Sequence, residues 1–386
     1  MARKLFCLVL GALAAVLLLE LLLRVLPTPT ASRIGQYVDS HVTTYPPGLD
    51  FRTATGWSLL NANDQRSNEF GFIPDRNFEP LPTAVAIVGD SLVEQSMLPP
   101  SHRLSAVLEQ MRGEPVYAMG FPGSSLMDYL ERMRYAHDVL GIQRFWVVVE
   151  RADVKQSLCA ANAYKDACVN ADGTIARPTR APRGRLYELL SRSALLQYFV
   201  GVLRLSPSKL LATFSEDPRP TATEAPPADL PPDGASKDGR AQRLSALPAV
   251  ELHVIELFVD ALDRFRQAGS EVGLLIDPRI TSIHRREEFI DPAMEAVARR
   301  ASSAGFVVVH PFEALAADVR ASGLDLRVGP YDGHWNVRAN CLIAASMLQG
   351  ESGKRLEEVS QSMPSVCDPR MFSAAAAGIL GGTGDH

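Results

Sequence analysis

The stretch Val85-Ala86-Ile87-Val88-Gly89-Asp90-Ser91 decides how this chain reads: a β-branched apolar run that stops abruptly at Gly-Asp-Ser. An apolar strand that ends in glycine and then serine sets a hydroxyl at the carboxyl edge of a sheet, where open α/β folds put their chemistry. Ser91 is therefore the first candidate nucleophile. Far downstream, Tyr331-Asp332-Gly333-His334-Trp335-Asn336 supplies a candidate base just before a segment of helical apolar spacing.

Working outward, the pattern predicts a strand at 84–88, a helix at 103–111, a strand at 116–118, the loop Gly120-Phe121-Pro122-Gly123-Ser124-Ser125, a helix at 126–139 and a buried strand at 144–149. This alternation of strand and helix predicts a three-layer α/β/α fold around a central, mostly parallel sheet. The rhythm breaks at the cysteine-flanked 159–168 and the turn Asn170-Ala171-Asp172-Gly173, then at a helix near 186–205. Residues 207–238 are dominated by Pro, Ala, Asp, Glu, Ser and Thr, a composition that cannot bury enough surface to order itself, so they read as a flexible insertion. A helix at 250–268, a strand at 272–277, a helix at 292–304 and a strand at 306–310 resume the rhythm. The last helix begins near Asn336, a suitable cap, and carries Val337, Cys341, Leu342, Ala345 and Leu348 on one apolar face. The α/β domain is thus 84–350. The Pro-, Gly-, Asn- and Asp-rich 27–83 reads as extended chain wrapping it, and 351–386 as a tail.

Residues 5–25 are apolar except for Glu20 and Arg24, and at roughly 1.5 Å per residue the run can cross a hydrocarbon core of ~30 Å. We read 5–26 as an uncleaved transmembrane anchor. A signal peptide is the competing reading, but the run exceeds a usual h-region and no clean small-x-small site comes after it. Arg3 and Lys4 place residues 1–4 in the cytoplasm and the body of the chain in the periplasm, so the protein is expected in the inner membrane with a single pass. Glu20 and Arg24 lie on one helix face near the outer boundary, spaced to pair and to reach the interface. A polar pair there also suits contact with another membrane protein.

The 386 residues are 46% hydrophobic and 22% charged, which suits one large globular domain or two modest ones and excludes a disordered chain. A net charge of −5, with no basic stripe, gives no footprint for nucleic acid. Outside the anchor, with its Cys7, stand Cys159, Cys168, Cys341 and Cys367. Sequential pairing is the simplest of the connectivities four cysteines allow and fits an oxidising compartment; free structural cysteines are the alternative. None of the spacings makes a zinc site.

A serine hydroxyl is a poor nucleophile until a base takes its proton, and histidine does this best because its pKa lies near operating pH. His334 needs an orienting partner, and Asp332 can fold back in the turn to accept from its Nδ1. Taken alone, Ser91 also reads as a turn or phosphate-binding serine, and His334 as a capping or surface histidine.

Together, Gly89-Asp90-Ser91-Leu92 after an apolar strand, the Gly120 to Ser125 loop and Asp332-Gly333-His334-Trp335-Asn336 resemble the SGNH (GDSL) hydrolase superfamily over roughly 84–348. The anchor and the Asp-x-His-Trp form of the last block are closer to its membrane-anchored, extracytoplasmic branch, which includes alginate O-acetyltransferase-like proteins. The resemblance implies a flavodoxin-like sheet, Ser91 as nucleophile, His334 as base, Asp332 as its partner, and an oxyanion hole formed by the amides of Ser91 and Gly123. One departure stands out. Members of the superfamily carry Gly-x-Asn-Asp after the third strand, and the asparagine side chain donates to the oxyanion. Here Val149-Glu150-Arg151-Ala152-Asp153-Val154 puts Ala152, which cannot donate, at that position. Losing one such donor costs on the order of 2.7 to 4 kcal/mol unless Arg151, Ser124 or Ser125 replaces it. The plain reading of Arg151 is a solvated or ion-paired arginine. His310 reads as a core-edge residue rather than a second base, Asp277 as a residue that can face the site but more plainly as a turn aspartate, and Trp335 and Asn336 as packing and capping supports for the base.

The expected function is a membrane-tethered serine esterase or O-acyltransferase acting on O-acyl groups of a carbohydrate or another ester, with a membrane-bound acyl donor as a further partner. No metal or organic cofactor is expected. The alternative, favoured by Ala152, is an impaired SGNH-like protein that binds glycan or scaffolds a polysaccharide-modifying assembly.

Overall fold

The computed structural model describes residues 2–30, 34–56, 58–73, 77–161, 166–179, 192–203, 247–285, 291–329, 332–352 and 365–367. The expected insertion at 207–238 and most of the tail at 351–386 lie outside them. The chain forms two compact units, one of Met1–Ser32, Asp50–Gln65 and Ala181–Gly234, the other of Arg33–Leu49, Arg66–Arg180 and Ala235–His386.

In the first unit, helix α1 (Ala2–Val25) is long and apolar enough to cross a membrane, and none of its most apolar window is buried. A membrane anchor and a signal sequence satisfy that description equally. The stretch 27–83, expected as extended chain, folds into two antiparallel hairpins, one in each unit. They are β1 (Gly35–Asp39) with β2 (Val42–Thr44), and β3 (Asp50–Thr55) with β4 (Leu60–Arg66). Their turns are set by local polar side chains: the Asp39 carboxylate accepts from the His41 amide at 2.7 Å, an Asx-type closure. The Arg52 guanidinium grips Asp64 across the second hairpin at 2.7 and 3.0 Å.

The second unit is built on a five-stranded sheet of β5 (Val85–Gly89), β6 (Val116–Gly120), β7 (Arg144–Val149), β10 (Glu271–Ile276) and β11 (Val307–Val309), in the order β11-β10-β7-β5-β6 with every pair parallel. The small pair β8 (Cys168–Val169) and β9 (Ile175–Ala176) lies outside it. Successive side chains on a strand point to opposite faces. Val85, Ile87, Trp146 and Val148 accordingly enter one core, while Ala86, Val88, Phe145, Val147 and Val149 enter the other. Both faces are apolar because both are covered, which is why these strands read as continuous hydrophobic runs. Helices Leu104–Arg112, Phe312–Ser322 and Val337–Ser352 close the first face; Leu126–Leu140, Ala249–Gln267 and Pro292–Ser303 close the second. This is the three-layer α/β/α fold.

The chain runs from β5 outward to β6, then returns past β5 to β7 and continues outward to β11. That reversal opens a crevice between the carboxyl ends of β5 and β7, the switch point at which doubly wound sheets bind ligands. Helix Phe312–Ser322, missed in the sequence, fills the gap before the histidine. Its Ala-rich inner face of Ala314, Leu315, Ala316 and Ala317 carries too few large apolar residues to stand out. Within it Asp318 forms a buried bidentate pair with Arg338 of the last helix.

Cys159 bonds to Cys168 and Cys341 to Cys367, the sequential pairing. In the chain-entropy picture the two loops are worth roughly 2.5 and 3.5 kcal/mol. The second bridge attaches the short Ser365–Cys367 turn to the buried face of the last helix.

Gly120, at the end of β6, lies directly under the serine turn. A Cβ there would sit 2.7 Å from the Asp90 carbonyl oxygen and 2.8 Å from the Val93 carbonyl carbon, both rigid backbone. Gly120→Ala is therefore expected to destabilise the protein by about 1–3 kcal/mol, the usual range for overpacking. Urea unfolding would read this as a lower midpoint with an unchanged m-value.

Candidate active site

Strand β5 ends at Gly89, and Asp90 turns the chain into the single-turn helix α2 (Ser91–Glu94). Asp90 is the N-cap: its carboxylate accepts from the Leu92 amide at 2.9 Å, satisfying a donor that the helix cannot. Ser91 is thereby the first helical residue, with its hydroxyl at the mouth of the crevice. The turn stops at Gln95, held in the left-handed region at φ 46.

The candidate base, His334, arrives on β13 (Asp332–Trp335), paired antiparallel with β12 (Arg327–Gly329). The sequence suggests a turn at Asp332, before the last helix; in the structure Asp332 lies on a strand. On a strand, residues two apart share a face, so Asp332 and His334 point the same way without a folded-back loop. His334 Nδ1 donates to Asp332 Oδ1, which also accepts the His334 amide at 3.0 Å. Nδ1 thus carries the proton, leaving the Nε2 lone pair to face Ser91, whose Oγ lies 2.8 Å away. Asn336 closes the hairpin by donating to the Asp325 and Arg327 carbonyls at 2.8 and 3.2 Å, and its Oδ1 caps the last helix through the Ala339 amide at 3.1 Å.

A cavity of about 260 Å³ opens at this pair, lined by Asp90, Ser91, Leu92, Glu150, Arg151, Asp277, Arg279, Ile280, Gly333, His334 and Trp335. Its lining is densely charged. Burial, reinforced by the charges of Asp90 and Asp277, pushes Glu150 up to about 7. Burial raises Asp277 to about 6, although the Arg279 amide donates to it and the Trp335 side chain hydrogen-bonds to it. Burial also raises Asp90. For His334, burial favours the neutral ring, but the hydrogen bond and charge of Asp332, joined by Asp90 and Glu94, outweigh it and hold the imidazole above its ordinary value. The site as a whole favours positive charge on His334.

The structure brings Ser91, His334 and Asp332 together and places Arg151 in the same cavity. The auxiliary donors expected in the second loop are turned elsewhere. The Ser124 hydroxyl is buried, donates to the Phe121 carbonyl at 2.6 Å and accepts from Arg132. The Ser125 hydroxyl donates to Asp128 at 2.9 Å, and the Ser125 amide donates to the same carboxylate at 2.8 Å as half of a capping box for helix Leu126–Leu140. Gly123 holds φ 73, a conformation that favours glycine, and is not among the residues lining the cavity. Ala152 opens the short helix Asp153–Gln156 and stays off the lining, whereas its neighbour Arg151 is on it. Asp277 is a turn aspartate, its carboxylate accepting from the Arg279 amide at 3.0 Å, and it also faces the cavity. His310, expected at the core edge, is exposed because β11 ends before it and is the outermost strand.

Three residues at the site carry no motif that singles them out in the sequence. Glu150 directly succeeds β7, and Arg279, in the left-handed region at φ 48, comes after β10 by a short turn. The rule that points to Ser91, inspection of the residues just past each strand's carboxyl end, finds both. Arg132 has no such signal. It is 1% exposed and donates to the Gly89 carbonyl at 2.9 Å, bracing the end of β5 from below.

No protein-family model matches the chain, and no curated protein matches it. Among solved structures the chain is similar to a member of the lipolytic protein G-D-S-L family from Veillonella parvula, at 11% identity and a TM-score of 0.35 over 69% of this chain and 96% of that one. It is also similar to LAE5, an alpha/beta hydrolase enzyme from the metagenome of Lake Arreo, at 13% identity and a TM-score of 0.33 over 69% of this chain and 94% of that one.

Proposed function

We propose that this protein is an extracytoplasmic serine esterase or O-acyltransferase of SGNH type, tethered to the membrane by α1 and working through an acyl-serine intermediate on O-acylated carbohydrate. The observation that carries the chemistry is the continuous line from the Ser91 Oγ to His334 Nε2 at 2.8 Å and from His334 Nδ1 to Asp332. As Ser91 attacks an ester carbonyl, its proton passes to Nε2, and the imidazolium is stabilised by the carboxylate behind it. Collapse of the tetrahedral intermediate returns that proton to the leaving alcohol and leaves the acyl group on Ser91. Water or a sugar hydroxyl then gives its proton to Nε2, attacks the acyl carbon and releases Ser91.

Developing charge on the carbonyl oxygen needs donors. The Ser91 amide stands in the first turn of a helix, where no intrahelical acceptor exists, and by resemblance the Gly123 amide is the second. Arg151, in the cavity where Ala152 is not, is the neighbouring side chain that can serve as a third. The carbohydrate and the acetyl group rest on the resemblance of the last block; the extracytoplasmic placement draws on two disulfides beside an apolar N-terminal helix. Ala152 favours a second reading, a binding protein with an impaired site, and covalent labelling of Ser91 separates the two.

Wild-type protein is expected to be labelled by a fluorophosphonate probe and to turn over p-nitrophenyl acetate. Ser91→Ala should abolish labelling and lower turnover by about 10⁴-fold or more. Folded wild-type protein that neither labels nor turns over would leave only the binding reading.

Catalysis requires neutral His334. Because its pKa is raised, kcat/KM should climb with pH through a midpoint above the ordinary value of about 6.5. Asp332→Asn removes the group that raises it while burial remains, so the limb should move to lower pH. The kcat should fall by roughly 10⁴-fold through the wrong tautomer. An unshifted limb would show that another group is the base.

Arg151→Ala is expected to lower kcat by roughly 10²-fold with little change in KM, as for loss of a donor that acts only in the transition state. A change confined to KM would instead make Arg151 a substrate-binding residue.

A further inference from the structure

The first unit carries an apolar segment for which its own described residues provide little cover. Ala194–Gln197 forms a helical turn that continues directly into the wider turns of Tyr198–Val202. From 194 to 203 the sequence is Ala-Leu-Leu-Gln-Tyr-Phe-Val-Gly-Val-Leu, apolar on every side apart from Gln197 and the Tyr198 hydroxyl. A helix apolar all round belongs either in the core of a large protein or in lipid. Yet no described side chain in this segment is buried, and Phe199, Val200 and Leu203 are 38%, 52% and 37% exposed.

A second observation shows what the segment is attached to. Glu20, a carboxylate within the apolar α1, receives four hydrogen bonds at its outer end. Its Oε2 accepts from the Ser193 hydroxyl at 2.8 Å and the Leu195 amide at 2.9 Å, and its Oε1 accepts from the Ala194 amide at 3.1 Å and Arg24 Nε at 2.8 Å. Arg24 also reaches the Arg192 carbonyl at 3.4 Å. A carboxylate in a membrane span is expensive and calls for a specific partner. Here the partner is the first turn of another helix, whose amides lack acceptors of their own. Surface pairing alone would need Arg24 but not the two backbone amides.

We propose that residues 193–203 form a second membrane-embedded element, lying at the outer interface of the bilayer that α1 crosses. Glu20 holds it there, and Phe199, Val200 and Leu203 face the acyl chains. The proposal rests on reading α1 as a membrane span. Its occupant is lipid rather than a protein groove, because the exposed apolar segment is joined through the Glu20 carboxylate to α1, which is itself apolar and exposed. Attachment at two points restrains swivelling of the chain about its anchor, which a lone helix would permit.

The test uses full-length protein in nanodiscs of phosphatidylcholine, with and without brominated acyl chains, and two variants that add a tryptophan, Phe199→Trp and Leu13→Trp. Wild-type emission from Trp57, Trp146 and Trp335 is the background. Bromolipid should quench the added emission of both variants, most strongly with bromine near the headgroup for Phe199→Trp and near the bilayer centre for Leu13→Trp. Quenching of Leu13→Trp without quenching of Phe199→Trp overturns the proposal and leaves the anchor intact. Quenching of neither overturns the membrane reading of α1 and the proposal with it. Adding Glu20→Ala should abolish quenching at position 199 and keep it at 13, in protein whose cooperative unfolding is unchanged. Undiminished quenching at 199 would overturn the role of Glu20 as the tether.

Discussion

Gln95 and Asn340, two amides with no access to water, exchange hydrogen bonds of 2.9 and 3.0 Å across 245 residues of chain. Each is further committed: Gln95 Oε1 accepts the Leu104 amide at 2.7 Å, and Asn340 donates to the His102 carbonyl at 2.8 Å. Gln95 terminates the helix that begins at Ser91, and Asn340 lies on the helix just after the histidine strand. A buried amide left unpaired costs about 1–3 kcal/mol, so only the matched register satisfies both. Ser91 and His334 are set at hydrogen-bond distance by this lock behind them, out of reach of solvent.

Around that lock the site is electrostatically one-sided. Asp90, Glu150, Asp153 and Asp277 crowd the carboxyl ends of three adjacent strands, where burial raises all four and the charge of Asp90 adds to it at the other three. Asp90, with Asp332 and Glu94, favours the imidazolium of His334. In the proposed role of His334, a raised base pulls harder on the serine proton but is neutral in a smaller fraction of molecules near pH 7, the usual compromise of general-base catalysis. Arg151 and Arg279 line the same cavity, and Arg279 is lowered first by burial and then by the charge of Arg151. The cavity thus places basic and acidic side chains together around Ser91.

The bracing beneath the site is equally specific. Arg132 reaches from helix Leu126–Leu140 to the Gly89 carbonyl and to Ser124, tying the second loop to the end of β5. Tyr45, from the segment just after the first hairpin, donates to Glu94 at 2.8 Å at the end of the serine helix. The residues that precede the sheet in sequence therefore help hold the Ser91 turn.

The sheet and its order of elements were legible in the chain because a strand covered on both sides must be apolar at every position, as Val85 to Val88 and Phe145 to Val149 are. The helices Leu126–Leu140 and Ala249–Gln267 were legible because a half-buried helix must repeat its apolar residues every third or fourth place. Ser91, Asp332 and His334 could be named because each stands within two residues of a glycine, Ser91 just past an apolar strand and the other two just before an amphipathic helix, a local signal. Sequence alone could not say that Asp332 and His334 share a strand face, that the Ser124 and Ser125 hydroxyls turn inward, or that Gln95 pairs with Asn340. It also could not say that Glu20 caps a helix 173 residues away. Periodicity reports only whether a residue faces water or the core. Which polar group meets which is settled when distant segments are brought together and each buried donor must find its acceptor.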